Sequence, residues 1–392
     1  MGRLKLLLGN LAVLAALLLL AGLAGELWLR AVPERRASAV QDDGSTKWRF
    51  NPYQPDGVLG YLHRSDWETV HATEEFEVTV RTNALGLRGA PARAEKAPGT
   101  FRILVPGDSF AFGFGVADDE AFPAVLGRLL PPPPGFDRVE VLNAGVAGWS
   151  ADQYWLVLEA RGFALEPDLV LLAPTENDPG DLAWNRLELG PRGLPVRAQP
   201  TRRMIDQRGR MRYLEGGPLA LPALSFPGQA WLADHSQLYH WLRYRVAKAW
   251  VLRKMRGVEE RLRAAAGAPP EGPIEALSQD ALQRALWSGP AFQIRYHRFL
   301  VAAIREACAE RGVALATLLV QFRAGQASSE SAAALAEDCA QDPRCVASSA
   351  LLAGREESEV FFAGDGHWRA AGHALVAEGL ARWLRGLAPW SG

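Results

Sequence analysis

The amino-acid sequence predicts an α/β protein built around a parallel β-sheet that is covered by helices. Four short runs rich in Val, Ile and Leu are typical of strands buried on both faces, as in parallel sheets. Helix-like segments lie between several of these runs, and such alternation favours parallel strands. The runs are residues 102–105, 139–142, 169–172 and 313–320, and the helical segments are residues 121–130, 152–162 and 292–311.

The composition indicates a globular protein. The chain has 392 residues, enough for one large domain or two medium ones with a substantial core. Its 43 Lys and Arg nearly balance its 44 Asp and Glu, and no basic run could follow a phosphate backbone. We therefore expect no nucleic-acid partner.

The first 30 residues predict a membrane anchor. Between residues 6 and 25 the only polar side chain is Asn10, and about 20 apolar residues can cross a hydrocarbon core as a helix. This run is longer than the roughly 7–15 apolar residues of a signal peptide. We therefore predict a single-pass anchor with the rest of the chain outside the cytoplasm. The alternative is a signal peptide cleaved near residues 22–24, which would release a secreted protein.

A tether and a small β-rich unit follow the apolar run. Residues 31–48 are charged and contain Ser and Ala, which indicates a tether leaving the membrane. Residues 49–98, called the lead-in below, contain turn-forming pairs and one alternating stretch at 76–81 that predicts a strand.

The main domain is predicted over residues 99–392, with an insertion at residues 183–290. The insertion contains a predicted hairpin at 205–214 and a basic helix at 241–263. It either lies over the carboxyl ends of the strands and shapes a ligand cleft, or is a surface elaboration without a role. The last helix, predicted at 370–387, has one apolar face that should pack on the sheet.

The three cysteines give one candidate disulfide. Cys339 and Cys345 are separated by a turn-rich stretch, and in an oxidising compartment they could close a small loop. The alternative is a pair of free thiols. Cys308 lies in an apolar helical stretch and is expected in the core. No Cys and His residues have the spacing of zinc ligands, so we expect no metal.

Five residues suit nucleophilic catalysis on an acyl group. A serine needs a base to take its proton, a carboxylate to orient that base, and donors for the oxyanion. Ser109 follows the first strand in a Gly-Asp-Ser turn, and Gly148 and Asn177 follow the second and third. His367 and Asp365 share the loop before the last helix. The carboxyl ends of parallel strands are where α/β proteins place ligand sites.

Each of these residues also has an ordinary structural explanation. Gly-Asp-Ser can be a helix cap, Gly148 a loop glycine, Asn177 a turn residue and His367 a structural histidine. Their order and their positions at strand ends favour catalysis.

These segments resemble the SGNH/GDSL hydrolase superfamily. Residues 107–110 are similar to its first block, Gly148 to its second-block glycine, Asn177 to its third-block asparagine, and residues 365–368 to its fifth block. The resemblance covers residues 100–182 and 291–386. Residues 81–88 of the lead-in are similar to the N-terminal parts of membrane-anchored members.

The resemblance implies both a fold and a site. The fold is a flavodoxin-like three-layer α/β/α sandwich. Ser109 would be the nucleophile, His367 the base and Asp365 its orienting carboxylate. The oxyanion hole would consist of the N–H groups of Ser109 and Gly148 with the side-chain amide of Asn177. No metal or organic cofactor is implied.

One departure from the family pattern widens the choice of reaction. Many members have the aspartate three residues before the histidine, where this chain has Gly364, whereas Asp365 is two before His367. The shorter spacing resembles branches that act on acetylated polysaccharides, some of which transfer acetyl groups. We expect hydrolysis of an acyl or acetyl ester, in a small molecule or in a cell-envelope glycan or lipid. The alternatives are O-acyl transfer to an envelope polysaccharide and a non-catalytic envelope scaffold.

Overall fold

The structure is a computed structural model, and it does not describe every residue of the chain. Most of the predicted tether at 31–48 lies outside the described residues, and so does Asp365. The described residues are 2–31, 50–73, 75–201, 203–205, 211–213, 231–232, 235–323, 329–364 and 366–390.

Strands and helices alternate in the part of the described chain that builds the central sheet. The strands are β1 (Tyr53–Asp56), β2 (Gly60–His63), β3 (Glu68–Ala72), β4 (Glu77–Arg81), β5 (Thr100–Gly107), β6 (Arg138–Gly145), β7 (Leu169–Leu172), β8 (Asn185–Leu189), β9 (Pro195–Pro200), β10 (Arg203–Ile205), β11 (Met211–Tyr213), β12 (Ala314–Leu319) and β13 (Cys345–Ala347). The helices are α1 (Gly2–Ala31), α2 (Ser109–Phe112), α3 (Phe122–Leu129), α4 (Ala151–Val157), α5 (Asp178–Asp181), α6 (Gln237–Ala266), α7 (Gln279–Ala285), α8 (Pro290–Glu310), α9 (Ser329–Gln341), α10 (Ser348–Leu351), α11 (Glu357–Val360) and α12 (Ala370–Leu384).

A five-stranded parallel sheet forms the centre of the fold. Its strand order is β13–β12–β7–β5–β6, and every neighbouring pair is parallel. The predicted parallel α/β fold is thus confirmed. The order is that of a doubly wound sheet, in which ligands bind at the carboxyl ends of the strands where the order reverses. Here the reversal lies between β5 and β7, the strands that precede Ser109 and Asn177.

Two hydrophobic cores lie on opposite faces of the sheet. Because side chains alternate along a strand, Leu104 faces one core while Ile103 and Val105 face the other. Helices α4 and α8 pack on the Leu104 side, and α3 and α12 pack on the opposite side. Fully burying a Leu or Ile side chain contributes about 1.5–3 kcal/mol. The sheet and its two helical layers therefore form three layers.

The predicted helices agree closely with the observed ones. Prolines at the starts of α3 and α8 suit the first helical turn, where no N–H partner is lost. On α12 the residues Val376, Leu380 and Leu384 recur every fourth position and are buried against the sheet. Helix α4 continues through a π-helical turn, Leu158–Gly162, which accounts for the longer helix predicted at 152–162.

The fifth strand, β13, was not predicted. It has only three residues, all of them half-buried, and its sequence Cys-Val-Ala is too short to stand out as an apolar run. A short edge strand carries little hydrophobic signal because only one neighbour covers it.

The lead-in contains two antiparallel pairs of strands, β1–β2 and β3–β4. The strand predicted at 76–81 corresponds to β4. In the insertion, β8 pairs with β9 and β10 with β11, the second pair lying where a hairpin was predicted at 205–214. The predicted basic helix lies within α6.

The apolar run at residues 6–25 is helical and lies within α1. Near the end of this helix, the Glu26 carboxylate accepts hydrogen bonds from the Ser236 hydroxyl and the Leu238 N–H, at the start of α6. Among the residues that the structure describes, no helix is both long enough and apolar enough to span a bilayer. The predicted single-pass anchor stays a prediction.

The candidate disulfide is present. Cys339, at the end of α9, is bonded to Cys345, the first residue of β13. Cys308 is a buried free thiol on α8, as expected of a core residue.

Candidate active site

Close backbone packing at the end of β5 positions Ser109 as the first residue of α2. A side chain at Gly107 would bring its Cβ within 2.5 Å of Ala111 Cβ, and one at Gly145 would come within 2.3 Å of Phe112 N. Only glycine permits these approaches. The preceding Asp108 caps the short helix, its side chain accepting a hydrogen bond from Phe110 N at 2.9 Å.

The Ser109 hydroxyl is hydrogen-bonded to His367. Nε2 of His367 lies 2.7 Å from Ser109 Oγ, within the range required for proton transfer between a nucleophile and its base. Oγ also lies 3.3 Å from Asp108 Oδ2, which is a longer and weaker contact. The imidazole stacks on Phe114, with ring centroids 4.4 Å apart, and is tilted against Phe110 at 4.7 Å. These aromatic rings restrict the orientation of the base.

The predicted orienting carboxylate, Asp365, lies outside the described residues. Its role beside His367 therefore stays a prediction.

Asn177 lies in the loop after β7 and directly precedes α5. Its amide Nδ2 donates to Asp181 Oδ2 at 3.1 Å, whereas its Oδ1 is buried with no hydrogen-bond partner among the described residues. An amide nitrogen carries two hydrogens, so one remains to serve a substrate oxygen. The hydrogen bond to Asp181 fixes the orientation of the Asn177 side-chain amide.

Gly148 lies in the loop between β6 and α4, with a φ of 80° that favours glycine. The sheet register brings this loop beside the other two. Gly107 pairs with Gly145 on one side and forms an isolated bridge to Ala173 on the other. The segments that carry Ser109, Gly148 and Asn177 therefore all begin at the same edge of the sheet. Their roles as oxyanion donors stay predictions.

Buried carboxyl groups lie beneath this edge, and sequence reasoning did not identify them as part of the site. Burial raises the pKa of Asp108, although the Phe110 N–H and His367 counteract the increase. Burial also raises the pKa of Asp178 well above its usual value, and Asp108 adds to this effect. Asp178 accepts hydrogen bonds from the Thr175 N–H at 3.0 Å and the Tyr154 hydroxyl at 3.2 Å. The Asn-Asp pair at 177–178 was the available sequence signal.

His373, which follows the predicted catalytic loop, belongs to the core. Its Nδ1 accepts a hydrogen bond from Phe122 N at 3.2 Å, and its side chain is fully buried. Burial lowers its pKa to about 3, so the ring is neutral at physiological pH. Among the described residues, no group of three or more His, Cys, Asp or Glu side chains is arranged to hold a metal ion.

Comparisons with known proteins give distant structural likenesses. No family model matches the chain, and no curated protein matches it. A protein assigned to the lipolytic G-D-S-L family of Desulfitobacterium hafniense DCB-2 has 12% identity and a TM-score of 0.34, over 72% of this chain and 99% of that one. A two-domain esterase active on acetylated mannans has 13% identity and a TM-score of 0.34, over 73% of this chain and 49% of that one. An acetylxylan esterase from Geobacillus stearothermophilus, solved as a catalytic mutant, has 13% identity and a TM-score of 0.34, over 74% of this chain and 96% of that one.

Proposed function

We propose that the protein is a serine-dependent ester hydrolase with Ser109 as nucleophile and His367 as general base. The 2.7 Å hydrogen bond between Ser109 Oγ and His367 Nε2 carries this proposal. A hydroxyl becomes an effective nucleophile when a base within hydrogen-bond distance can take its proton as the new bond forms. Both residues are half-buried at the carboxyl edge of the sheet, where substrate could reach them.

The reaction would proceed in two steps. Ser109 Oγ attacks the acyl carbon, its proton moves to His367 Nε2, and the carbonyl electron pair moves onto oxygen. Donors from Ser109, Gly148 and Asn177 would stabilise that oxyanion. When the oxyanion collapses, the alcohol leaves with the proton from His367, and an acyl-serine remains. Water then attacks the acyl-serine by the same route and releases the carboxylic acid.

O-acyl transfer is a second candidate, because a hydroxyl on an acceptor can take the place of water in the second step. The two-residue separation of Asp365 and His367 favours it through its resemblance to branches that include acetyl transferases. We expect the acceptor, if one is used, to be an envelope glycan. Acceptor glycans that increase turnover and gain the mass of an acyl group would support transfer, whereas hydrolysis alone would count against it.

We also propose that the protein works outside the cytoplasm. The disulfide between Cys339 and Cys345 supports this location, because disulfides persist in oxidising compartments and cytosolic thiols are kept reduced.

The test is an ester assay on the whole chain. p-Nitrophenyl acetate and a longer-chain ester would be compared for the unchanged protein, Ser109→Ala and His367→Ala. We expect each variant to lose at least about 10³-fold in kcat, because members of such a pair act as a unit. Full activity in Ser109→Ala would contradict the proposal. A folded but inactive parent whose Ser109 also fails to react with a phosphonate would indicate the scaffold.

A further inference from the structure

A buried arginine of the lead-in holds the segment that begins with Ser109. The Arg88 guanidinium donates through Nη1 to Phe112 O at 2.7 Å and to Gly113 O, and through Nη2 to Val116 O at 2.5 Å. These carbonyls lie at and just beyond the end of α2, whose first residue is Ser109. A single lead-in side chain therefore satisfies three backbone groups of the nucleophile segment.

The surroundings of Arg88 leave it little freedom. Its Nε donates to Asp118 at 3.1 Å, its side chain is 1% exposed, and its ring neighbour Phe112 lies 4.5 Å from the guanidinium carbon. Its backbone N–H donates to Asn143 O of β6 at 3.2 Å. The planar fork of an arginine can reach several acceptors at once, which the point charge of a lysine cannot do in the same way.

A carboxylate of the lead-in holds the segment that leads to His367. Glu75 accepts hydrogen bonds from Ala363 N at 2.8 Å and Gly364 N at 2.9 Å. The same segment is closed on itself, because Phe362 N donates to His367 O at 2.8 Å. The ring of Phe76, next to Glu75, packs against Phe362 at 5.1 Å.

A tyrosine of the lead-in holds the third loop. The Tyr61 hydroxyl donates to Ala147 O at 3.0 Å, and Trp149 Nε1 donates to Tyr61 O at 3.2 Å. Ala147 and Trp149 are the two neighbours of Gly148. The lead-in thus makes hydrogen bonds to the segments around Ser109, Gly148 and His367.

We propose that the lead-in is a positioning element for the active site. Arg88 and Glu75 are the positioning residues, and they hold the segments of Ser109 and His367 so that the two side chains stay within hydrogen-bond distance. This rests on the proposed function. Ser109 and His367 lie on segments 258 residues apart in the chain, and their 2.7 Å contact needs both segments to be held accurately. Misplacement of a reacting group by about 1 Å can cost about 10²-fold in rate. Neither Arg88 nor Glu75 needs to touch substrate for this effect.

Arg102 provides a matched control for Arg88. It is equally buried, its Nε donates to Glu140 at 2.6 Å, and its Nη1 donates to Ala94 O and Leu165 O at 2.7 and 2.6 Å. It differs in place, because it lies near the start of β5, at the other end of the strand from Ser109. Arg88→Lys and Arg102→Lys therefore remove similar hydrogen bonds with similar expected losses of stability, but only the first lies beside the active site.

Glu77 provides the control for Glu75. It is an exposed carboxylate on β4, two residues along the same lead-in. Glu75→Gln keeps one acceptor oxygen for the His367 segment, whereas Glu75→Ala removes both.

The experiment measures kcat, KM and the unfolding midpoint of the whole chain and these five variants on p-nitrophenyl acetate. We expect Arg88→Lys to lose about 10- to 100-fold in kcat with KM changed less than about threefold, while Arg102→Lys keeps its kcat. Glu75→Ala should lose about tenfold in kcat, Glu75→Gln should recover part of that loss, and Glu77→Ala should match the parent.

Equal kcat values in Arg88→Lys and Arg102→Lys, at comparable unfolding midpoints, would overturn the proposal. Should Arg88→Lys fail to fold, the Glu75 variants decide, because an active Glu75→Ala would overturn the proposal equally. An inactive parent would instead overturn the proposed function, and the positioning role with it. The activity of the parent chain therefore distinguishes the two failures: an inactive parent overturns the proposed function, and an active parent with unaffected variants overturns only the positioning role.

Discussion

His367 Nε2 lies 2.7 Å from Ser109 Oγ, although His367 belongs to the loop before the last helix and Ser109 is the first residue of α2, just after β5. The fold creates this contact by placing β5 next to the centre of the sheet and packing α12 against the same face as α3. Phe110 and Phe114 pack against the imidazole and keep it over the serine.

Replacing Asn177 tests the predicted oxyanion hole. Removal of one oxyanion donor typically lowers kcat by about 10²–10³-fold, so we expect that loss in Asn177→Ala, with little change in KM. Esterase kinetics measure it, and an unchanged unfolding midpoint ensures that the variant is folded. A kcat within about threefold of the parent value would remove Asn177 from the oxyanion hole.

Replacing Gly145 tests the close packing beneath Ser109. The Cβ of Gly145→Ala would lie 2.3 Å from Phe112 N and 2.6 Å from Ala111 C, both in the backbone of α2. We expect a loss of about 1–3 kcal/mol in the free energy of unfolding, as for overpacked sites, and a fall in activity because α2 must move. Urea unfolding of this variant would be compared with that of Gly272→Ala, where no atom lies within 4 Å of the new Cβ. Equal stability of the two variants would contradict the packing argument.

Much of this arrangement could be predicted from the sequence. The runs that became β5, β6, β7 and β12 are rich in Val, Ile and Leu because both faces of each strand are buried, and their order gave the parallel sheet. Ser109 and His367 were identifiable because each stands in a short motif beside a predicted element. The contact between Ser109 and His367 follows from the order of the strands and helices in the fold, and the separation of the two residues in the sequence does not indicate it.

Other features had no local signal. The edge strand β13 has only three residues and is too short to stand out as an apolar run. The buried Asp108 and Asp178 could not be told from surface turn residues, because burial depends on the helices packed around them. The contacts of Arg88 and Glu75 join segments distant in the chain, and a charged residue in a loop predicts only solvent exposure.

Reduction of the disulfide should destabilise the protein. Cys339 and Cys345 are six residues apart, and closing a loop of this size contributes about 2 kcal/mol by reducing the entropy of the unfolded chain. We expect a reducing agent to lower the thermal midpoint of the parent chain. The double variant Cys339→Ser/Cys345→Ser should start at the lower midpoint and show no further change on reduction. A parent midpoint that is insensitive to reduction would contradict the prediction.

His297 should make stability depend on pH. Burial lowers its pKa from 6.5 to about 4, and Arg298 contributes to the shift while Asp338 opposes it. Because the folded-state pKa lies below the unfolded value, the stability from neutral His297 is complete above pH 6.5 and is lost as pH falls towards 4. The loss is about 1.4 kcal/mol per pH unit in that window.

Urea unfolding between pH 7.5 and 4.5 would measure this effect as the difference between the parent and His297→Phe. The difference isolates His297, since the other titrating groups are shared by both proteins. We expect the parent to lose stability relative to the variant as pH falls. Parallel pH profiles would show that His297 is protonated in the folded state at its ordinary pKa.

The most direct test of the central claim is the reaction of the whole chain with a fluorophosphonate. Attack by an activated serine forms a phosphorus–oxygen bond and expels fluoride, and mass spectrometry of the digested protein identifies the modified residue. We expect modification at Ser109 in the parent, none in Ser109→Ala, and a rate reduced by at least about 10²-fold in His367→Ala, because the base is then missing. Modification of another serine, or equal rates with and without His367, would contradict the account.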